Sequence, residues 1–243
     1  GGGFYMSTRV IGVPKGSGLG TSSILAGACV KALGEFLGEN WADDEIYELV
    51  LSLEQIMSTG GGWQDQVGGV TPGIKFITTK PGIDQKIQVE HVELESETLQ
   101  ELEERFALIY TGQRRLARNL LRDVVGNYIG SRRESLEALA EMEKTAVLMK
   151  FELQCGNIDG FAELLNTHWE LSKQLDKGST NTCIDQIFVS IEDLIDGRFI
   201  SGAGGGGFLQ VIMKKGVTRQ MLSRRLHEVF QDSGVDVWET RFI

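Results

Sequence analysis

Glycine is the feature that most constrains the fold of this 243-residue chain. The sequence has 31 glycines, about 13% of its residues, whereas about 7% is usual in globular proteins. They concentrate at residues 1–3, in an alternating stretch at 16–20, and in runs at 60–62 and 204–207. With only 3 prolines and no Gly-X-Y period, the chain is neither collagen-like nor low in complexity. Because glycine reaches positive φ and lets a backbone approach a ligand closely, these stretches are candidate functional loops.

The rest of the composition is that of an ordinary globular protein. Hydrophobic residues make up 41% and charged residues 24% of the chain, which supplies a core and argues against disorder. The formal net charge of −10 argues against a nucleic-acid partner, which requires a basic face. No apolar run approaches the roughly 18 residues that a membrane span requires. Neither nucleic acid nor a membrane is therefore expected as a partner.

The cysteines and histidines bear on cellular location and on metal binding. The three cysteines, Cys29, Cys155 and Cys183, are far apart and form no CxxC pair. An odd number of dispersed thiols is typical of a reducing compartment, so a cytoplasmic location is predicted. The 3 histidines are far apart in the sequence, and no zinc site is expected from them.

Hydrophobic periodicity and turn residues predict a mixture of helices and strands without strict βαβ alternation, which favours the α+β class. Helices are predicted over residues 22–37, 43–57, 96–105, 113–129, 134–153, 157–175, 182–195 and 217–233. Strands are predicted over residues 4–11, 73–79, 87–94, 106–110, 208–213 and 235–242, with a glycine-rich turn at 59–69. A domain division is placed between residues 1–105 and 106–243.

The first glycine stretch lies between a predicted strand and a predicted helix, an arrangement that binds anions. Gly16, Gly18 and Gly20 would let the backbone wrap a phosphate, and hydroxyl residues follow at the start of the helix. The stretch is not a Walker A motif, because Lys15 precedes the glycines, nor a dinucleotide fingerprint, because position 21 is Thr. The plainer alternative is a glycine-rich turn followed by a helix with a Ser/Thr cap.

Two carboxylates could perform phosphoryl-transfer chemistry. Glu54 lies late in the second predicted helix, and Asp65 follows the glycine run at 60–62. One acid could bind Mg²⁺ and the other could take the proton of an acceptor hydroxyl. The alternatives are a solvated helix charge for Glu54 and a turn or cap residue for Asp65. Trp63 is either a core or lid aromatic or a platform for a sugar.

The second glycine loop, residues 201–207, precedes the apolar strand predicted at 208–213. A flexible linker would be rich in serine and followed by solvated sequence. These glycines instead favour close packing of backbone against a bound phosphate or against the first loop. The alternative is a tight helix-to-strand turn.

Several motifs in one order resemble those of the GHMP small-molecule kinases. Residues 14–23, PKGSGLGTSS, look like the phosphate loop of that family, and residues 202–207, GAGGGG, resemble its C-terminal glycine motif. The spacing of Glu54 and Asp65 is similar to that of a Mg²⁺ ligand and a catalytic aspartate in the mevalonate kinase branch. Residues 59–69, TGGGWQDQVGG, and 110–113, YTGQ, look like the L-fucokinase branch.

The resemblance implies an ATP-dependent kinase that phosphorylates the anomeric hydroxyl of L-fucose for GDP-fucose salvage. It implies that Asp65 is the catalytic base and that Ser22 and Glu54 hold Mg²⁺. The implied ligands of the ATP phosphates are Gly16, Ser17, Gly18, Leu19, Gly20, Thr21, Ser22, Gly204 and Gly205. The residues expected near the sugar are Gly62, Trp63, Gln64 and Arg114. Arg114 shares a predicted helix face with Arg118 and Arg122, and a solvated basic face is the alternative for this set.

The resemblance also implies a two-domain fold, with a part like ribosomal protein S5 domain 2 followed by a ferredoxin-like domain. The family's first motif lies upstream of the phosphate loop and contributes to the sugar site, and no residue stands before Gly1 here. We therefore expect an incomplete N-terminal domain in this chain. A heptose-phosphate kinase of the same family and a catalytically silent nucleotide-binding domain are the alternatives. A nucleotidyltransferase domain fused to the kinase is left open.

Overall fold

The structure is a computed structural model that describes residues 3–57, 61–80, 82, 86–113, 125–126, 128, 130, 133–202 and 204–242. Its helices are α1 (Thr21–Leu37), α2 (Asp43–Ile56), α3 (Gln64–Val70), α4 (Ser96–Arg105), α5 (Arg133–Gln154), α6 (Ile158–Leu175), α7 (Thr182–Ser190) and α8 (Arg219–Phe230). Its strands are β1 (Lys75–Thr79), β2 (Ile87–His91), β3 (Phe106–Thr111), β4 (Ile195–Ile200), β5 (Phe208–Met213) and β6 (Val235–Trp238). None of the helices described is both long enough and apolar enough to cross a membrane.

The C-terminal part is built on a four-stranded sheet. The strand order is β4-β5-β3-β6, and every neighbouring pair is antiparallel. With helices between β3 and β4 and between β5 and β6, this order is that of a ferredoxin-like fold, as predicted. Alternate residues of β3, such as Ala107 and Ile109, are buried on one face with apolar residues of α7 and α8. This core fixes the sheet ends from which the glycine loop between β4 and β5 emerges.

The N-terminal part packs helices α1, α2 and α3 against one another and adds the β1–β2 hairpin. Glycines make the helix contacts close: a Cβ on Gly27 of α1 would lie 2.9 Å from Cγ2 of Val70. A Cβ on Gly69 of α3 would collide with the side chain of Ile24. Because these contacts leave no room for larger residues, they fix how closely α1 and α3 pack. Helices α1, α2 and α3 carry the candidate site.

Most predicted elements are confirmed with small shifts in their ends, and two coincide with the structure, the helix at 96–105 and the strand at 208–213. The α+β class is confirmed. The predicted strand at residues 4–11 is wrong, because the structure has no strand over these residues. Phe4, Tyr5 and Ile11 are exposed. A strand requires a ladder partner, and alternation of apolar side chains in the sequence does not supply one.

Two other predictions are wrong for reasons of packing. The turn predicted at 59–69 contains the start of α3, whose glycines permit close approach to α1. The helix predicted at 182–195 ends at Ser190, and strand β4 was not predicted. A register shift between Ile195 and Gly197 hides the strand period. Gly197 is required there because a Cβ would lie 2.9 Å from the Cα of Ala162 on α6.

Some predictions fall on residues that the structure does not describe. Most of the helix predicted at 113–129 lies outside the described residues, and so do Gly60, Arg114, Arg118 and Arg122. The domain division after residue 105 stays a prediction.

Candidate active site

The first glycine loop ends in a helix start that is open to an anion. Gly16, Gly18 and Gly20 have φ angles of 72°, 78° and 63°, a left-handed conformation that costs other residues roughly 1–2 kcal/mol. Gly20 is the N-cap of α1, with no side-chain cap hydrogen bond and no acidic residue in the first turn. The Ser/Thr-capped helix considered as an alternative is therefore not what the chain forms. The first N–H groups of α1 lack intrahelical acceptors and carry partial positive charge, which favours a phosphate.

The second glycine loop packs directly on the first. The N–H of Phe208 donates to the carbonyl of Ser17 at 3.0 Å, and a Cβ on Gly207 would collide with that carbonyl. A Cβ on Gly202 would lie 2.9 Å from the Cα of Gly18. The loop joins strands β4 and β5, so the helix-to-strand turn considered as an alternative is wrong. Its glycines allow two backbones to touch.

The other side of the second loop is held by two further segments. The N–H of Gly205 donates to the carbonyl of Ser179 at 2.7 Å, and the N–H of Gly207 donates to the carbonyl of Gln113 at 3.0 Å. The amide of Asn181 donates to the carbonyl of Gly205 at 3.0 Å. Gly204 and Gly205 are buried, and a direct contact of these two glycines with ATP stays a prediction. Sequence reasoning did not single out the 179–181 turn, although Asn before a predicted helix is an N-cap signal.

Glu54 lies on α2 and faces the start of α1. Its side chain is buried, and its Oε1 accepts a hydrogen bond from the Ser23 hydroxyl, which is also buried. Gly61 is close as well, since a Cβ there would lie 3.5 Å from Oε2 of Glu54. The solvated helix charge considered as an alternative is therefore wrong for Glu54. Ser23 thus contacts Glu54, whereas Ser22, the predicted Mg²⁺ ligand, is exposed one position earlier on α1.

Asp65 lies in the first turn of α3 and faces the phosphate loop. A Cβ on Gly20 would lie 2.9 Å from Cγ of Asp65, so the absence of a side chain at Gly20 lets the carboxyl reach the loop. Burial by the surrounding protein raises the pKa of Asp65, and the nearby Glu54 raises it further. The Asp65 residue as a whole keeps an exposed surface. An acid near a phosphate site with a raised pKa is a candidate base.

The residues here suit a magnesium ion bound together with nucleotide phosphates. Mg²⁺ is held in such sites by one or two carboxylates plus phosphate oxygens, and Glu54 and the hydroxyls that begin α1 are hard oxygen donors of this kind. The described part of the chain contains no cluster of three or more His, Cys, Asp or Glu side chains that would hold a metal by itself.

The predicted sugar residues are only partly placed. Trp63 is half-buried and is the N-cap residue of α3, and Gln64 is exposed and begins that helix. The Gln64 side chain lies where a side chain on Gly62 would be. These three residues immediately precede Asp65 in the chain, and their contact with a sugar stays a prediction.

The chain matches proteins of one kinase family. Residues 4–73 match the family model of the GHMP kinases N-terminal domain. The chain is 38% identical over 89% of its length to a bifunctional fucokinase/GDP-fucose pyrophosphorylase from Arabidopsis thaliana, and 38% identical over 85% to an L-fucokinase/L-fucose-1-P guanylyltransferase from Bacteroides fragilis. It spans 20% and 22% of those two proteins.

Two further comparisons extend this likeness. The chain is 29% identical over 81% of its length to a D-glycero-alpha-D-manno-heptose 7-phosphate kinase from Campylobacter jejuni, covering 58% of it. The crystal structure of a protein assigned as a sugar kinase from Campylobacter jejuni superposes with a TM-score of 0.70 at 26% identity, covering 95% of this chain and 64% of the other. The predicted two-domain kinase fold is confirmed by this likeness. Residues 4–73 therefore form a GHMP kinases N-terminal domain.

Proposed function

We propose that this chain forms the nucleotide-binding and phosphoryl-transfer core of an ATP-dependent kinase that phosphorylates the anomeric hydroxyl of L-fucose. The observation that carries the proposal is the meeting of three elements at one point. The uncapped start of α1 adjoins the buried pair of Ser23 and Glu54, and the carboxyl of Asp65 lies against Gly20. A phosphate site, a metal-ligating carboxylate and a base are the parts that phosphoryl transfer requires.

The phosphate end of the reaction is assigned to the first glycine loop. Its backbone from Gly16 to Ser22 would wrap the ATP phosphates, with the N–H groups of the first turn of α1 donating to phosphate oxygens. Glu54 and Ser22 would hold Mg²⁺. When bound, this ion neutralises charge that develops on the phosphate oxygens. Ser23 keeps the Glu54 carboxylate oriented by donating to Oε1.

The acceptor end is assigned to Asp65. A sugar hydroxyl placed between Asp65 and the γ-phosphate would transfer its proton to the carboxylate. Its oxygen would form the new bond to the γ-phosphorus while the bond to the β,γ-bridging oxygen breaks, releasing ADP. Because burial and Glu54 raise the pKa of Asp65, this carboxylate is a stronger base than a solvated aspartate. Gly62, Trp63 and Gln64 immediately precede Asp65 in the chain and would contact the sugar.

L-Fucose is proposed because the two fucokinase relatives are 38% identical to the chain, compared with 29% for the heptose 7-phosphate kinase. The names of these two relatives pair a fucokinase with a pyrophosphorylase or a guanylyltransferase. A fused nucleotidyltransferase partner is therefore proposed as well. The heptose-phosphate kinase remains the second candidate because its 29% identity extends over 81% of the chain.

A panel assay tests the proposed function. This chain, and in parallel the longest natural polypeptide that contains it, is incubated with ATP and Mg²⁺ and with L-fucose, D-galactose, D-mannose or a heptose 7-phosphate. We expect ADP formation only with L-fucose and only with Mg²⁺, with fucose 1-phosphate identified by mass and by phosphorus NMR. Turnover with the heptose phosphate alone would select the second candidate. Nucleotide binding by the natural polypeptide without turnover on any sugar would instead indicate a silent nucleotide-binding domain.

A further inference from the structure

Asn181 connects the second glycine loop to a helix through the two ends of one side chain. It is the N-cap residue of α7, and its Oδ1 accepts a hydrogen bond from the N–H of Ile184 at 3.1 Å. Its Nδ2 points the other way and donates to the carbonyl of Gly205 at 3.0 Å. The same Nδ2 lies 3.4 Å from Oε1 of Gln113. One amide group therefore couples the start of α7, the glycine loop and the segment after β3.

The loop that Asn181 holds has little support of its own. Gly204, Gly205, Gly206 and Gly207 all have positive φ angles and lack side chains, so packing of side chains cannot fix their conformation. Polar contacts must do so. Gly205 is held at its N–H by the carbonyl of Ser179 and at its carbonyl by Asn181. Because Gly205 is buried, a carbonyl left without a donor there would be costly.

The position of this loop bears directly on the phosphate loop. Gly207 and Phe208 contact the backbone of Ser17, and Gly202 contacts that of Gly18. A shift of the second loop would therefore move the backbone that is proposed to surround ATP. A displaced phosphate loop would bind ATP less tightly, because its N–H groups would no longer be preorganised for the phosphates.

We propose that Asn181 is a positioning residue for nucleotide binding, which acts by fixing Gly205 and, through that glycine, the shape of the phosphate loop. This inference rests on the proposed function and assigns a role to a residue outside the proposed ligands of ATP and sugar. Its helix-capping role and its loop-holding role use different atoms, so substitutions can separate them.

Asn181→Ser is the main test, since Ser is a good N-cap and introduces no charge but lacks the amide donor. Asn181→Asp keeps the capping oxygen and replaces the donor by an acceptor. The matched control is Asn157→Ser. Asn157 caps α6 in the same manner, with Oδ1 accepting from the N–H of Gly160 at 3.1 Å, and its Nδ2 donates to Glu152 at 2.6 Å, not to a glycine loop.

The measurements are KM for ATP, kcat and the thermal midpoint. We expect Asn181→Ser to raise KM for ATP about tenfold, the effect of losing one hydrogen bond to a buried group, with a smaller change in kcat. Asn181→Asp should raise KM further, because its charge opposes the phosphates. Asn157→Ser should lower the thermal midpoint no more than Asn181→Ser does, while KM stays within about twofold of the unmodified protein. A rise in KM of less than about threefold for Asn181→Ser, or an equal rise for Asn157→Ser, would overturn the inference.

Binding of a non-hydrolysable ATP analogue, measured by calorimetry, keeps this inference separate from the proposed function. If the unmodified protein binds the analogue but phosphorylates no sugar, the proposed kinase fails while Asn181 is still tested by affinity. If the protein is an active kinase and Asn181→Ser binds the analogue normally, Asn181 has no positioning role. If Asn181→Ser fails to fold, Asn181→Asp, which retains the cap, decides by the same affinity measurement. No binding to the unmodified protein would overturn both.

Discussion

The phosphate loop and the second glycine loop differ in where their backbone N–H groups point. At the start of α1, Gly20 caps the helix without a side-chain acceptor, and Gly16 and Ser22 are exposed. In the second loop all four glycines at 204–207 are buried, and the N–H groups of Gly205 and Gly207 donate to protein carbonyls. The first glycine-rich segment leads into a helix start without a side-chain cap, whereas the second uses its N–H donors to hold backbone segments together. The same residue type thus has two functions, which the sequence composition alone does not distinguish.

The largest effect should come from removing the carboxylate that faces the phosphate loop. Asp65→Asn retains the shape of the side chain but cannot take up the proton of the sugar hydroxyl, so we expect kcat to fall by about 10²–10⁴-fold. Affinity for a non-hydrolysable ATP analogue should change little, because the N–H groups of α1 are intact. Steady-state kinetics and calorimetry check both. The control is Asp232→Asn, because Asp232 is an exposed residue after α8. Near-normal turnover by Asp65→Asn would show that Asp65 is not the base.

The packing role of the second loop predicts the next largest effect, on stability. In Gly207→Ala the new Cβ would meet the carbonyl of Ser17, and the residue would keep a φ of 88°. We expect the free energy of unfolding to fall by about 2–5 kcal/mol, from backbone strain plus overpacking.

Gly12→Ala is the matched control, because Gly12 has a φ of 80° with nothing within 4 Å of a new Cβ. Only backbone strain of about 1–2 kcal/mol applies there. Urea denaturation of both variants gives the difference. Equal losses would mean that the second loop does not depend on its close contact with the first, and the contrast between the loops would fail.

A smaller effect, on the dependence of the rate on Mg²⁺, is expected from substituting Glu54. Glu54→Gln keeps an oxygen that can accept from Ser23 but removes the charge, so the Mg²⁺ concentration for half-maximal rate should rise about tenfold. A Mg²⁺ titration at saturating ATP measures this. The control is Glu48→Gln. Glu48 lies on the exposed side of the same helix, so this substitution should leave the Mg²⁺ titration unchanged. If both variants titrate like the unmodified protein, Glu54 is not a metal ligand.

The smallest effect concerns stability and pH at Asp65. Burial, and to a smaller extent the nearby Glu54, raises the pKa of Asp65 in the folded protein. Above that pKa the ionised carboxyl lowers the stability of the folded state. Below the pKa that Asp65 has in the unfolded chain, the carboxyl is protonated in both states and this cost vanishes. Asp65→Asn should therefore raise the thermal midpoint at pH 7, by roughly 1–2 °C after solvent screening. The gain should disappear below the ordinary aspartate pKa of about 3.9. A gain that is independent of pH would contradict the assigned cause.

The fold was largely predictable where local signals and tertiary packing agree. The periodicity of α2 and α6 and the apolar run of β5 correspond to residues that are buried in the structure. Prediction failed where the secondary structure of a segment depends on the strand or helix that packs against it. Residues 4–11 have strand-like sequence but no strand in the structure, and β4 has an irregular register and a glycine that α6 requires.

The residues proposed for the site were singled out from the sequence, and their roles stay predictions. The contacts among these residues were not predicted. Ser23 as the partner of Glu54, and Asn181 as the residue that holds Gly205, could not be predicted from spacing, because each pair comes from segments far apart in sequence.

The sequence by itself determined the chemistry available to this protein: glycine loops before a helix, two acids at a fixed spacing, and the order of the motifs that marks the family. These depend on residue type and local conformation, which the sequence specifies directly. Only the tertiary structure decided which glycine loop has its N–H groups bonded to protein carbonyls and which one leads into an uncapped helix start. That distinction depends on where each backbone donor finds an acceptor, and acceptors such as Ser179 and Gln113 are brought to Gly205 and Gly207 only by folding.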